Sequence, residues 1–261
     1  MAPYPEDKWF YEERRVANIL KPFDRDTPIY RVFGRQRLLD TISKKELTLT
    51  RFRKWEDPYE GFLFRGEGID KDGHKIGFSS FVENAYGQCW TLLSESDALW
   101  RIYSPDKQSA IVRTTVGNIF DKLYGNGEEF CLSLYIGLVA YATNAQIGDT
   151  VSCANKHLQN ILTDHTGLGP VPFLLTKREE FAHEKEVRIL YTPADKHPHR
   201  LLDFVPFPID PNAQFDSIVC DPRIDSSGFD DLRKELVAAG YTGDITKSTL
   251  YDPPPRFDFS F

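Results

Sequence analysis

Phe181-Ala182-His183-Glu184-Lys185-Glu186-Val187-Arg188-Ile189-Leu190-Tyr191 is the stretch on which the reading of this chain turns. Written as a β-strand, it places alternate side chains on opposite faces. Val187, Ile189 and Tyr191 then point into a core, while Glu184, Glu186 and Arg188 point the other way. The polar face carries two carboxylates about 7 Å apart, followed by a guanidinium. Two readings are open. One is a strand with a solvated face, the common pattern in antiparallel sheets. The other is a cleft wall, where one carboxylate stabilises positive charge developing at a sugar carbon and the other orients an acceptor. Arg188 would then hold its neighbour ionised.

Outward from this strand, short strands alternate with irregular helices. Ile29 to Phe33 is β-branched and aromatic and predicts a strand; Leu47 to Phe52, Gln88 to Leu93, Ala110 to Arg113 and Phe130 to Ala142 predict more. Pro172 to Leu175 and Phe215 to Cys220 read as strands too, and Thr246 to Tyr251 as a strand closing the sheet. Helical spacing marks residues 6–20, Arg35 to Ser43, Val116 to Leu123, Asn155 to Thr163 and Ser227 to Ala239, the last with Gly240 at its C′ position. Ser94 reads as the N-cap of a further helix through Tyr103. The pattern predicts an α+β fold: one domain over 29–251 with a mixed or antiparallel sheet and flanking helices. An N-terminal helical extension covers 1–28, and a Pro/Phe tail covers 252–261.

The composition bounds the rest. With 261 residues, 41% hydrophobic and 27% charged, the chain can bury one full core without staples. The net charge of -7 gives no overall attraction to a phosphate backbone. Cys89, Cys131, Cys153 and Cys220 form no C-x-x-C pair, which argues against zinc and fits free thiols in a reducing compartment. No metal is expected. Without a signal-like start or a run of about 20 apolar residues, the expectation is a cytoplasmic protein with no membrane partner.

Two further elements carry chemistry. Arg31, between Tyr30 and Val32, puts a planar fork suited to a diphosphate on the face opposite them, though such an Arg is more often a structural ion-pair partner. Ser96, Trp100 and Tyr103 share one helix face, where the rings either stack on a base-like ligand or fill core. No nucleotide loop, G-x-S-x-G or H-E-x-x-H occurs. Asp57-Pro58-Tyr59-Glu60 is turn chemistry first, with a carboxylate pair as a weaker site candidate.

Taken together, Tyr30-Arg31, Asp57-Pro58 with Glu60, Ser94 with Trp100 and Tyr103, and Lys177-Arg178 with Phe181, His183, Glu184, Glu186 and Arg188 resemble domain-of-unknown-function family 2971. The later Ser217-Ile218-Val219-Cys220-Asp221-Pro222, Ser248 and Tyr251 look similar as well, so the resemblance spans roughly residues 29–251. The order arginine, serine, E-x-E is also similar to the R-S-E arrangement of ADP-ribosyltransferases. That resemblance implies an NAD-consuming enzyme acting on a protein or nucleic-acid acceptor, as a toxin or phage-defence effector with a neutralising antitoxin or immunity partner. It implies that Arg31 grips NAD, Glu186 is catalytic and Glu184 governs the acceptor. Ser94, Trp100, Tyr103 and Arg188 complete the implied cofactor-facing set, with Gly77-Phe78-Ser79-Ser80 the rival location for the middle serine. The alternatives are a nucleotide-binding module without turnover and a phosphodiester-cleaving enzyme.

Overall fold

The computed structural model describes residues 8–20, 22–55, 57, 59–60, 67–69, 75–77, 83–125, 133–152, 168–193 and 196–257. In chain order the strands are β1 (Pro28–Phe33), β2 (Glu46–Arg51), β3 (Glu67–Ile69), β4 (Lys75–Gly77), β5 (Tyr86–Thr91), β6 (Ala110–Thr115) and β7 (Leu134–Leu138). Then come β8 (Ala140–Ala142), β9 (Thr176–Arg178), β10 (Glu186–Tyr191), β11 (Phe204–Pro208), β12 (Ser217–Cys220) and β13 (Asp244–Lys247). Nine of them make one mixed sheet, antiparallel except for the β12–β13 pair. Helices flank it, so the fold is a single α+β domain.

The hub is β5. One edge carries β10 along its whole length, from Thr91 opposite Glu186 to Tyr86 opposite Tyr191. The other edge is shared. Thr91 pairs with Tyr30 of β1, whereas Gly87 and Tyr86 pair with Thr50 and Arg51 of β2. Between those points β1 and β2 part, and the sheet splits along Gln88–Trp90. β1 continues the sheet through β6, β12 and β13, β2 continues it to β11, and β10 continues it to β7.

The apolar alternation that predicted the strands is the alternation that fills the core. Ile29, Phe33, Leu47, Leu49, Trp90, Val187, Ile189 and Tyr191 share the main cluster. A second cluster, including Phe52, Tyr135, Val171, Phe173, Leu174 and Leu190, packs on the other face of β10. Every residue from Glu186 to Tyr191 is therefore buried, and the solvated-face reading of this strand fails. The N-terminal segment joins the same core through Ile19 and Phe23, and Asn18 Nδ2 donates to Leu134 O at 2.8 Å.

Several expectations need correction. Val171–Leu174 is a short helix rather than a strand; Pro172 sits in its first turn, where a missing N–H leaves no bond unmade. The helix of Asp97–Tyr103 is capped by Ser96, whose Oγ accepts from Leu99 N at 3.1 Å, and not by Ser94. β11 was hidden in the sequence by Pro206 and Pro208, which an edge strand tolerates. The closing strand is Asp244–Lys247 and stops short of Tyr251. Phe257 is 70% exposed and does not pack, while Phe259, Phe261 and the expected Asn155–Thr163 helix lie outside the described residues. Among the described residues, no helix is long and apolar enough to cross a membrane.

Candidate active site

The polar stripe does not arise from strand alternation alone. Residues Glu179–Glu184 form a 3-10 helix, and Lys185 takes a left-handed conformation (φ 46°) before β10 begins. A left-handed residue other than glycine costs of the order of 1–3 kcal/mol and persists where its surroundings over-determine it. Here Lys185 O accepts Leu92 N at 3.0 Å, and Glu184 O accepts Thr91 Oγ1 at 2.5 Å. The turn brings the carboxylates of Glu184 and Glu186 onto one ammonium.

That ammonium belongs to Lys177. Its Nζ lies 2.5 Å from Glu184 Oε2, 3.1 Å from Glu186 Oε2 and 3.5 Å from Glu60 Oε1. On the far side, Arg188 Nε donates to Glu186 Oε1 at 2.7 Å and its Nη2 to Glu186 Oε2 at 3.1 Å. Arg188 Nη2 also meets Glu60 Oε1 at 2.8 Å, and Nη1 meets Leu174 O at 2.7 Å. Tyr103 OH donates to the remaining Glu184 oxygen, Oε1, at 2.8 Å. Three carboxylates on two cations leave one negative charge in excess.

All of this is sequestered: Glu60, Lys177, Glu184, Glu186 and Arg188 are buried, Arg188 completely. Burial alone would raise the Glu186 carboxyl, but Arg188 and then Lys177 outweigh it and hold it down at about 2. Burial would likewise lower Lys177 and Arg188, yet the carboxylates keep both above their ordinary values. Glu60 goes the other way, pushed up by burial against the pull of Arg188. Buried ion clusters of this kind are weak evidence for stability, because desolvation offsets the attraction. Their value is that geometry and ionisation are fixed.

The cluster forms one wall of a cleft of about 490 Å³ that opens where the sheet splits. Glu60, Lys177, Glu184, Glu186, Tyr103 and Arg31 all reach its lining. By strand alternation, Arg31 points to the face of Ile29 and Phe33, but the gap between β1 and β2 lets its Nη1 donate to Cys89 O. Its Nε is buried without a hydrogen-bond partner. Burial pulls this guanidinium down to about 10. Beside the split, Gln88 Nε2 donates to Thr48 O at 3.0 Å while Gln88 Oε1 accepts from Trp90 Nε1 at 2.9 Å, bracing the opening. Gly87 lets Phe52 and Trp55 close in, since a Cβ there would lie 2.8 and 2.9 Å from their rings.

The charged lining residues cancel, Arg31, Arg37, Lys54 and Lys177 against Asp57, Glu60, Glu184 and Glu186. Adding their direct partners Arg178, Arg188 and Asp203 turns the balance positive by one. An acidic chain has thus built a cleft that does not repel a diphosphate.

The sequence-derived site residues divide. Arg31, Tyr103, Glu184 and Glu186 come together in the lining, and Arg188 lies directly behind Glu186 without reaching the cleft. Trp100 is fully buried core, its Nε1 donating to Glu95 Oε1 at 2.7 Å, so it offers no stacking face. Ser94 is exposed and outside the lining. The rival serines Ser79 and Ser80 lie outside the described residues. Sequence reasoning passed over Lys177 as a site residue and ranked Glu60 low. A lysine nine positions before a buried acidic strand residue carries no periodic signal, and Glu60 reads as a turn. Among the described residues, no group of three or more His, Cys, Asp or Glu is placed to hold a metal ion.

No protein-family model matches the chain, and no curated protein does. The chain is similar to solved structures of DarT from Thermus sp. 2.9. In complex with NAD+, that structure is 10% identical, covers 87% of this chain and 97% of its own, and has a TM-score of 0.41. The complex with carba-NAD+ gives 10%, 87%, 97% and 0.39, and the complex with ADP-ribosylated ssDNA gives 11%, 87%, 96% and 0.40.

Proposed function

We propose that the chain binds NAD in this cleft and transfers its ADP-ribose to a macromolecular acceptor, protein or nucleic acid. The observation that carries the reading is Glu186. It is 2% exposed, held ionised by the bidentate Arg188, and presented to a cleft that the Arg31 guanidinium also lines. The cleft volume lies within the roughly 300–1,000 Å³ of small-molecule and cofactor sites. Arg31 supplies a planar donor set for the diphosphate. When bound, NAD supplies a ribosyl carbon whose bond to the nicotinamide nitrogen breaks with the electron pair leaving on nicotinamide.

Glu186 acts on the positive charge that gathers at that carbon. Its carboxylate is already desolvated and cannot swing away, because Arg188 and Lys177 grip both oxygens. Fixed charge of this sort needs no reorganisation as the bond breaks, which is where electrostatic catalysis gains most. Tyr103 and Lys177 hold Glu184 beside it, on the side from which an acceptor would enter. A toxin or phage-defence role, with a partner that restrains it, is the biological setting we attach to this chemistry, in which exhausting NAD or modifying an essential macromolecule would injure a cell.

The test is release of nicotinamide from NAD, with and without cell lysate, by wild type and Glu186→Gln. The variant should retain NAD affinity and lose turnover by about 10²–10³-fold, the scale of removing one preorganised electrostatic group. A second reading, a nucleotide-binding module without turnover, draws on the full engagement of both Glu186 oxygens by internal cations. It predicts NAD binding by calorimetry with no nicotinamide released by wild type under any condition.

A further inference from the structure

We infer that Lys177 is a built-in counter-ion occupying the acceptor side of the carboxylate pair, so that the site serves neutral nucleophiles and refuses cationic ones. The inference rests on the ADP-ribose transfer proposed above and deepens it by naming the class of acceptor.

Two carboxylates beside a reacting sugar carbon would ordinarily attract a guanidinium or ammonium acceptor by charge and hydrogen bonding. Here that position is taken from within the chain. Lys177 Nζ lies between Glu184 Oε2 and Glu186 Oε2 at 2.5 and 3.1 Å, with Glu60 Oε1 at 3.5 Å. Glu184 Oε1 is taken by Tyr103, and Glu186 Oε1 by Arg188. The ammonium is itself boxed in, with the Phe181 ring centre 4.6 Å away. A guanidinium entering beside Glu184 would lose its hydration, meet the Lys177 charge at close range and find every carboxylate oxygen of the pair already bonded. The surrounding lining adds no net negative charge to draw it in. A hydroxyl or a neutral ring or amide nitrogen suffers none of this repulsion.

The step balances without another reagent. The bond from the ribosyl carbon to the nicotinamide nitrogen breaks, and nicotinamide leaves with the electron pair. The acceptor oxygen or nitrogen forms the new bond, and its proton is released to solvent. Lys177 is a positioning residue in this scheme: it keeps its charge throughout and acts through Glu184 and Glu186.

The experiment offers wild type NAD with water, methanol or agmatine as acceptor, and reads nicotinamide, ADP-ribose, methyl-ADP-ribose and ADP-ribosyl-agmatine by mass spectrometry. The expected result is hydrolysis and methanolysis without the agmatine adduct. Lys177→Met should gain the agmatine adduct by about tenfold or more, the scale of removing one like-charge contact, while Lys177→Arg continues to refuse it. Melting curves establish that each variant is folded. An agmatine adduct from wild type overturns the inference while leaving the transferase reading intact, and needs no variant. A folded Lys177→Met that gains nothing overturns it too. No cleavage of NAD by wild type with any acceptor, lysate included, instead removes the proposed function beneath it.

Discussion

The helix of Asp97–Tyr103 touches two buried polar clusters, and the contrast between them separates a candidate site from a structural peg. At its C-terminal end, Tyr103 reaches Glu184 and the cluster of Glu60, Lys177, Glu186 and Arg188. On its other side, Trp100 Nε1 meets Glu95, which also accepts Ser248 Oγ. There Arg223 Nη2 bonds Trp100 O at 2.7 Å, Ser104 O at 2.8 Å and Asp221 Oδ2 at 2.7 Å. The Asp221–Arg223 pair is one carboxylate on one guanidinium, with its spare donors on helix carbonyls; neither residue lines the cleft. It ties the helix to β12 and the residues after it. The other cluster sets three carboxylates on two cations and forms one wall of the cleft. Both are rich in buried polar groups, and only one lines the cleft.

The largest expected effect sharpens that contrast. Arg188→Met leaves Glu60 and Glu186 in the interior with Lys177 as their remaining cation, and should cost about 3–5 kcal/mol in urea unfolding and abolish nicotinamide release. Arg223→Met, at a guanidinium 16% exposed, should cost about 1–3 kcal/mol and leave release per folded molecule near wild type. Equal losses of turnover in both variants would erase the distinction.

The next effect is a pH dependence. Glu186 is held at about 2 in the folded chain, below the ordinary 4.5, so its ionisation stabilises the fold above the ordinary value. That contribution erodes as pH falls below about 4.5 and is gone once pH passes below about 2. Glu60, pushed upward, contributes with the opposite sign. Comparing wild type with Glu186→Gln across this window isolates the Glu186 share: the variant should have the flatter acid limb. Parallel limbs would mean the charge is not held as described.

Smaller again is the pair of aromatic substitutions on the shared helix. Tyr103→Phe deletes one hydroxyl donor to Glu184 and should weaken NAD binding or turnover, with a stability change of about 0.5–1.5 kcal/mol. Trp100→Phe should do the reverse, lowering the melting temperature by opening space in the core while leaving NAD binding alone. NAD affinity and turnover both unaltered in Tyr103→Phe would place Tyr103 with the peg. The smallest effect is Ser94→Ala, within about 0.5 kcal/mol and silent in every NAD assay, because Ser94 is exposed and outside the cleft. A lost activity there would restore Ser94 as the middle serine.

By itself the sequence determined the strands whose apolar alternation is strong, β1, β2, β5, β6 and β10, since burying one face dictates period two whatever the surroundings. It also marked Arg31, Glu184, Glu186 and Tyr103, because charged or hydroxyl-bearing groups beside such runs stand out locally. Tertiary structure alone decided the rest. That the second face of β10 is buried follows from its Leu190 packing in one cluster with Phe52, the neighbouring strand's Tyr135 and the Val171–Leu174 helix, contacts between segments separated in the chain. Lys185 turning left-handed placed Glu184 beside Glu186, and no local propensity asks for that conformation in lysine. Lys177 and Glu60 became part of the site only because separate elements deliver them to the same few ångströms. The split between β1 and β2 is likewise a property of the sheet, since strand divergence is set by which neighbours each strand pairs with and leaves no mark in either strand's own residues.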